Sequence, residues 1–247
     1  MSIKNSFLVS GNWLFQYRGH IPLIIFLLAI PVSLVTPYKL YLSFFGLREV
    51  IFVSALFFIF LGHLIRAKTV GKRTIQTSGR NRSHQVASEL NQTGWYSIVR
   101  HPLYLGNYFI WLGLVIFLAN FWFVIILSLL FWLYYERIMF AEEHFLEQKF
   151  DKEFTVWASK TRAFIPSFKN YQSNPNPFSL RVVLKNEYPG IISSATSFLF
   201  ILILKRSVLH ESISFQKSDL IFLFIIAVFG FSCKIIKKYT SFFEPMD

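Results

Sequence analysis

The sequence holds one cysteine, Cys233, in 247 residues, so it can form neither an internal disulfide nor a cysteine-rich metal site. Acidic side chains are scarce as well: 13 Asp and Glu face 25 Lys and Arg, giving a net charge of +12. Only 15% of residues are charged, where a soluble globular domain averages about a quarter. Several motifs are missing. No G-x-G-x-x-G or P-loop opens a helix, which excludes a soluble-type dinucleotide fold, and neither H-E-x-x-H nor G-x-S-x-G occurs. No metal site is expected. The positive charge comes without a nucleic-acid recognition motif, so nucleic acid is not expected as a partner.

Apolar sequence is what the chain has in abundance: 54% of residues are hydrophobic, with 30 Phe among them. From Pro102 to Tyr135 run 34 residues without one formal charge. That is too long for a single membrane helix of about 20 residues and reads as a tight hairpin of two, turning at Asn120. The apolar runs Ile21–Thr36, Val50–Ile65, Pro189–Leu204 and Leu220–Cys233 complete about six spans, with Pro31 placed to kink the first. The expected fold class is therefore all-α: a polytopic integral membrane protein, one domain over residues 1–247. Lys4 and Arg18 precede an apolar run with no small-residue cleavage pattern after it, so the opening residues do not read as a cleavable signal.

Basic residues orient the spans. With both termini in the cytoplasm, the inner segments carry 20 of the 25 Lys and Arg. The opposite orientation would reverse that bias. Such a surface also meets anionic lipid head groups.

Between the spans, residues 71–84 (GKRTIQTSGRNRSH) read as a loop, and QVASELNQTG after them as a short helix ending at Gly94. Glu136–Lys160 reads as a charged amphipathic helix along the cytoplasmic face. Its stripe is Ile138, Phe145, Leu146, Phe150, Phe154 and Trp157. The linker after Ile165-Pro166 is broken by Pro175 and Pro177.

Chemistry gathers at the entrance to the hairpin, in Gly94-Trp95-Tyr96-Ser97-Ile98-Val99-Arg100-His101-Pro102-Leu103-Tyr104-Leu105-Gly106. Pro102 suits the first turn of a helix. Arg100 and His101 then sit at a helix N-terminus, whose backbone N–H groups attract a carboxylate or phosphate. Tyr104 lies one turn on, and Gly106 leaves room for something flat to approach. Where the chain returns to the same face it carries Glu136-Arg137-Ile138-Met139-Phe140-Ala141-Glu142-Glu143. Hairpin geometry brings Glu142 and Glu143 beside Arg100 and His101. Taken singly, Arg100 and Tyr104 are also what an interface anchor looks like, and the Glu pair a solvated helix face.

Residues 94–168 resemble the isoprenylcysteine carboxyl methyltransferase and phospholipid methyltransferase superfamily of integral membrane enzymes. The match is G-x-Y-x-x-x-R-H-P-x-Y-x-G, an uncharged hairpin, a Glu-Glu pair, Phe150 through Phe154 and Trp157, and Phe164-Ile165-Pro166. The resemblance implies S-adenosylmethionine as cofactor, bound by Tyr96, His101, Pro102, Leu103, Tyr104, Gly106 and Glu142. It implies Arg100, Arg137 and Glu143 at the chemistry, with Arg137 one position from where the family's substrate arginine is expected. Arg100 and His101 would hold the cofactor carboxylate, or Arg100 a substrate phosphate. Basic residues in Arg66–Arg82 would recruit an anionic lipid head group. The segments G-R-N-x-S-x-Q-V-A-x-E-L and W-L-Y-Y-E-R-I-M-F-A-E-E look most like bacterial enzymes that methylate the 1-phosphate of lipid A, which implies the bacterial inner membrane.

Two other classes stay open. A membrane NADPH-dependent reductase of the sterol type shares R-H-P-x-Y-x-G but usually has an acid after the glycine, where this chain has Asn107. A transporter or receptor would place its ionisable groups at the midplane, whereas here they collect at one face.

Overall fold

Within hydrocarbon no water is present to satisfy backbone N–H and C=O groups, so apolar runs of this length form helices. The computed structural model describes residues 2–19, 21–72, 85–240 and 242, and among these it contains helices and no strand. In chain order they are α1 (Ile3–Gln16), α2 (Ile21–Leu27), α3 (Ala29–Val35), α4 (Tyr38–Ser43) and α5 (Leu47–Val70). After these come α6 (Pro102–Leu118), α7 (Phe121–Lys160), α8 (Leu180–His210) and α9 (Lys217–Tyr239). Helices α5, α7, α8 and α9 are long and apolar enough to cross a membrane, and α6 is a shorter apolar helix of the same kind. The protein is a polytopic all-α membrane protein.

The hairpin turns where its one mid-run polar residue sits. Ala119 adopts a left-handed conformation, φ 62°, and Asn120 caps α7 by accepting a hydrogen bond from the Phe123 N–H at 2.9 Å. The first expected span is two short helices. Pro31 has no N–H to give to the carbonyl of Leu27, and the helix breaks at Leu28.

Helices α5 and α6 pack closely where both carry glycine. A Cβ on Gly62 would lie 2.5 Å from the Gly106 carbonyl oxygen, and one on Gly106 would lie 2.5 Å from Cγ of Arg66. Small residues are what let membrane helices approach this closely. Helix α1 runs antiparallel along α7, with Phe7 against Phe140 and Gly11 against the Arg137 carbonyl. It is a helix the sequence pattern did not announce.

Helix α7 merges the hairpin's second arm with the expected amphipathic helix. Asp151 interrupts it with φ 43° and ψ −113°, and the chain turns there. The stripe Ile138, Phe145, Leu146, Phe150, Phe154 and Trp157 exists as read, but the protein itself covers it: Ile138, Phe154 and Trp157 are buried, and Phe145 and Leu146 line a cavity.

Two loop expectations change. Residues 85–93 form no helix; they are irregular, with the Ala87 carbonyl accepting from Lys149 Nζ, and a 3-10 turn occupies Gly94–Ser97. The sequence there has no apolar periodicity to bury as a helix face. Most of the Gly-, Ser- and Arg-rich loop, residues 73–84, lies outside the described residues. The linker 161–179 is ordered by pairing: its carbonyls at Arg162, Ala163 and Gln172 accept from the N–H groups of Arg100, His101 and Gly94.

Candidate active site

Pro102 at the first turn of α6 and the pairing with residues 161–167 hold Arg100 and His101 at the helix entrance. From across the hairpin, α7 presents Glu142 and Glu143. The four side chains meet as hairpin geometry requires. Arg100 donates to both carboxylate oxygens of Glu143, from Nε at 2.8 Å and Nη2 at 3.0 Å. Its Nη1 donates to the carbonyls of Ala158, at 2.9 Å, and Thr161, at 2.6 Å. His101 meets Glu143 through Nε2 at 2.8 Å and faces Glu142 with Nδ1 at 3.6 Å. Tyr104 donates to Glu142 at 2.6 Å, and its ring stacks on His101.

Four of the five N–H donors of Arg100 are thus taken by protein acceptors. One donor is left for the cofactor carboxylate or substrate phosphate that the sequence assigns to Arg100. Backbone donors around the helix N-terminus are also largely taken. The Arg100 and His101 N–H groups go to Arg162 and Ala163, and those of Tyr104 and Leu105 go to the His101 carbonyl.

A cavity of about 400 Å³ opens beside this cluster, within the range of small-ligand sites. Of the expected site residues, Tyr96, Arg100, His101, Pro102, Leu103, Tyr104, Glu142 and Glu143 line it. Gly106 and Arg137 do not. Gly106 faces α5, and what approaches it is the aliphatic stem of Arg66. Arg137 points to α1, where its guanidinium donates to Ser10 Oγ at 3.1 Å and lies over the Phe7 ring. One helical step separates it from the cavity-facing side of α7.

Sequence reasoning missed a second network in the same cavity. Arg66 of α5 forks onto Glu187 of α8, at 2.6 and 2.9 Å, and gives Nη1 to Asn107 at 2.7 Å and to the Leu103 carbonyl at 3.3 Å. Asn107 in turn donates to Tyr135 at 2.8 Å. Arg66 is therefore engaged inside the protein, not displayed for a head group as expected. The signal for Glu187 was available: an acid just ahead of an apolar span is costly unless a cation meets it. Phe15 and Arg18, at the end of α1, and Asn186 and Gly190 of α8 also line the cavity, and carried no motif.

The His101 imidazole is deeply buried, which disfavours its charged form. Hydrogen bonds and charge from Glu142 and Glu143 outweigh that burial and hold its pKa above the ordinary 6.5. Among the described residues, no group of His, Cys, Asp or Glu could hold a metal ion.

Residues 50–153 match the phospholipid methyltransferase family. A protein-S-isoprenylcysteine O-methyltransferase from Schizosaccharomyces pombe is 33% identical over 120 residues, which cover 46% of this chain and 48% of that protein. A probable protein-S-isoprenylcysteine O-methyltransferase from Oryza sativa subsp. indica is 31% identical over 134 residues, 51% of this chain and 67% of the relative. The chain belongs to this methyltransferase family. It is similar also to a nickel-cobalt-cadmium resistance protein from Alcaligenes xylosoxydans xylosoxydans, 36% identical over 107 residues, 42% of this chain and 47% of that one. The chain thus spans about half the length of the Schizosaccharomyces pombe and Alcaligenes xylosoxydans relatives. No solved structure matches it at a significant level. The matched region takes in α5 to most of α7, and with them the Arg-His and Glu-Glu cluster; α1 and α8 lie outside it.

Proposed function

We propose that this chain is an S-adenosylmethionine-dependent methyltransferase acting on a membrane lipid, with the lipid A 1-phosphate as the favoured acceptor. The observation that carries the reading is how charge is committed in the cavity. Three arginines and four glutamates line it. Arg66 and Arg100 each spend four donors on protein acceptors and each neutralise one carboxylate. Among the described residues Glu142 makes no ion pair with a guanidinium; a phenol and an imidazole are its neighbours. Glu142 therefore offers a ligand a carboxylate that neither Arg66 nor Arg100 neutralises, beside aromatic rings. That suits a cationic sulfonium with an ammonium group.

S-adenosylmethionine, when bound, supplies a methyl group on a cationic sulfur. Glu142 is placed to hold its ammonium or ribose hydroxyls, with Tyr104 and Tyr135 offering ring faces to the sulfonium. Arg100 and Glu143 act as positioning residues: the fork between them fixes the His101 ring and the start of α6 against α7. A phosphate or carboxylate oxyanion is nucleophilic at neutral pH, so the chain needs to supply no general base. Alignment and exclusion of water by the wall 85–91 are its contribution. The isoprenylcysteine methyltransferase relatives favour, as a second reading, a carboxylate on an isoprenylated group. Both acceptors present an oxyanion at the membrane surface. The cytoplasmic placement of both termini, and the bacterial inner membrane as location, belong to the same proposal.

The test uses the purified full chain. It should bind S-adenosylmethionine and not NADPH, and membranes given methyl-labelled cofactor should carry label in lipid A. Label in a phospholipid or quinone keeps methyl transfer and discards that acceptor. Binding of NADPH alone overturns the reading.

A further inference from the structure

Lys68 lies in the last turn of α5 and Lys72 just past it. Arg66, a turn earlier, is spent inside the protein, but these two lysines are not. Among the described residues neither forms an ion pair. Lys72 Nζ reaches the Asn174 carbonyl at 3.4 Å, and Lys68 Nζ lies 5.5 Å from the centre of the Phe178 ring. Capping does not occupy them either. The carbonyls just past α5, where a lysine could end, are met by the linker instead: Gly71 accepts from the Ser179 N–H at 2.8 Å, and Lys72 from Asn174 Nδ2 at 3.0 Å.

Both lysines line a second cavity, of about 170 Å³, together with Thr69, Asn91, Thr93 and Asn174. Sites for whole small molecules begin at about 300 Å³, so this space suits a single oxyanion group. No Asp or Glu lines it. Two ammonium groups that share a small space without a carboxylate repel one another, and an anion between them turns that repulsion into attraction. Asn91 and Thr93, whose side chains have no hydrogen-bond partner among the described residues, supply neutral donors. The larger cavity pairs two of its arginines with carboxylates; this one leaves its lysines bare.

The two cavities share a wall, because Asn91 and Tyr96 line both. The segment that carries them is fixed at Gly94, whose N–H donates to the Gln172 carbonyl at 2.8 Å, and at the Tyr96 carbonyl, which accepts from Trp157 Nε1 at 3.1 Å. An anion held by Lys68, Lys72, Asn91 and Thr93 would tie residues 91–93 to α5 as well.

We propose that this pocket is a second ligand site, for a phosphate or phosphomonoester group, and that filling it tightens cofactor binding by fixing Asn91 and Tyr96 in the shared wall. The coupling rests on the cofactor reading above; the anion site does not. By linkage the effect is reciprocal, so bound cofactor tightens anion binding by the same factor.

The experiment uses the full chain in phosphatidylcholine nanodiscs with radiolabelled inorganic phosphate, chloride holding the ionic strength constant. The wild type should bind phosphate saturably. Lys68→Gln together with Lys72→Gln should weaken binding by about tenfold or more, since two charged donors are lost. Thr93→Val removes one neutral donor, should weaken binding less, and carries the comparison if the lysine variant fails to fold. Exchanging chloride for phosphate should tighten S-adenosylmethionine binding about fivefold in the wild type and leave the lysine variant unchanged. No saturable phosphate binding, or binding unchanged in both variants, overturns the site. Cofactor affinity indifferent to phosphate in the wild type overturns the coupling. Phosphate bound with no S-adenosylmethionine binding at all would sink the cofactor reading and leave the anion site standing. A last arm identifies the source: phosphatidic acid added to the nanodiscs displaces the label if a lipid head group reaches the pocket, and leaves it bound if the ligand is a free phosphate compound.

Discussion

The Arg100 guanidinium grips both carboxylate oxygens of Glu143, reaching from the entrance of α6 across the hairpin to α7. With side chains only 16% and 24% exposed, the pair is shielded from water, and two backbone carbonyls satisfy Arg100 further. Removing one partner strands the other. Arg100→Ala and Glu143→Ala should each cost roughly 2–4 kcal/mol of stability, and the double variant less than their sum. Arg100→Lys should not rescue, since an ammonium cannot span the fork. Denaturant titration in mild detergent measures this; single variants within experimental error of wild type would show that the fork contributes nothing.

Glu142 should separate from Glu143 in experiment. Glu142→Gln keeps the shape and the Tyr104 acceptor but removes the charge offered to the ligand. Cofactor affinity should fall about tenfold, or ~1.4 kcal/mol, while melting temperature stays near wild type. Calorimetric titration decides it, and unchanged affinity would remove Glu142 from the binding site.

His101 predicts a pH dependence. Its pKa is raised in the folded state, so its contribution to stability is fully present below the unfolded value of about 6.5. That contribution is lost as pH rises through the folded value. The melting-temperature difference between wild type and His101→Gln should therefore be largest at mildly acidic pH and shrink as pH climbs above neutrality. A difference that grows with pH would mean the imidazole is neutral at this position.

Asn107 joins two networks, accepting from Arg66 and donating to Tyr135. Asn107→Leu leaves both partners short of a hydrogen bond in a buried setting and should destabilise by about 1–3 kcal/mol. Asn107→Asp keeps Arg66 satisfied and should cost less, which thermal unfolding of the two variants side by side would reveal.

Gly11 is the contact on which α1 depends. A Cβ there would lie 2.1 Å from the Arg137 carbonyl oxygen, so Gly11→Val must push α1 off α7. Because α1 delivers Phe15 and Arg18 to the cavity, activity should fall while α5 to α7 stay folded. Hydrogen exchange should show lost protection confined to the first twenty residues.

Spacing alone brought Glu142 and Glu143 to Arg100 and His101, because an uncharged run of fixed length can only fold back on itself. The turn at Asn120 was legible for the same reason. What the side chains do on meeting was not: the sequence offers Arg100 to an incoming anion, whereas Glu143 and two carbonyls from residues 158–161 claim it first. Those carbonyls lie at the end of α7 and just past it, where the chain turns back to pair with residues 94–101, a tertiary event. Arg66 and Glu187 stand 121 residues apart, beyond the reach of any local pattern. Helix α1 escaped notice because the residues that face α7, Phe7, Gly11, Leu14 and Phe15, are too few to read as a membrane span.

From Phe121 to Phe150 the backbone of α7 runs without a break, a rod of about 45 Å against a hydrocarbon layer of about 30 Å. The carboxylates of Glu142 and Glu143 ride on the same rod whose other end is gripped by lipid, with no joint between until Asp151. Bilayer thickness and reaction geometry are thereby geared together: a membrane that lifts or tilts the buried end moves both carboxylates by the same rigid displacement. The carboxylate pair is set to the gauge of the membrane that holds α7.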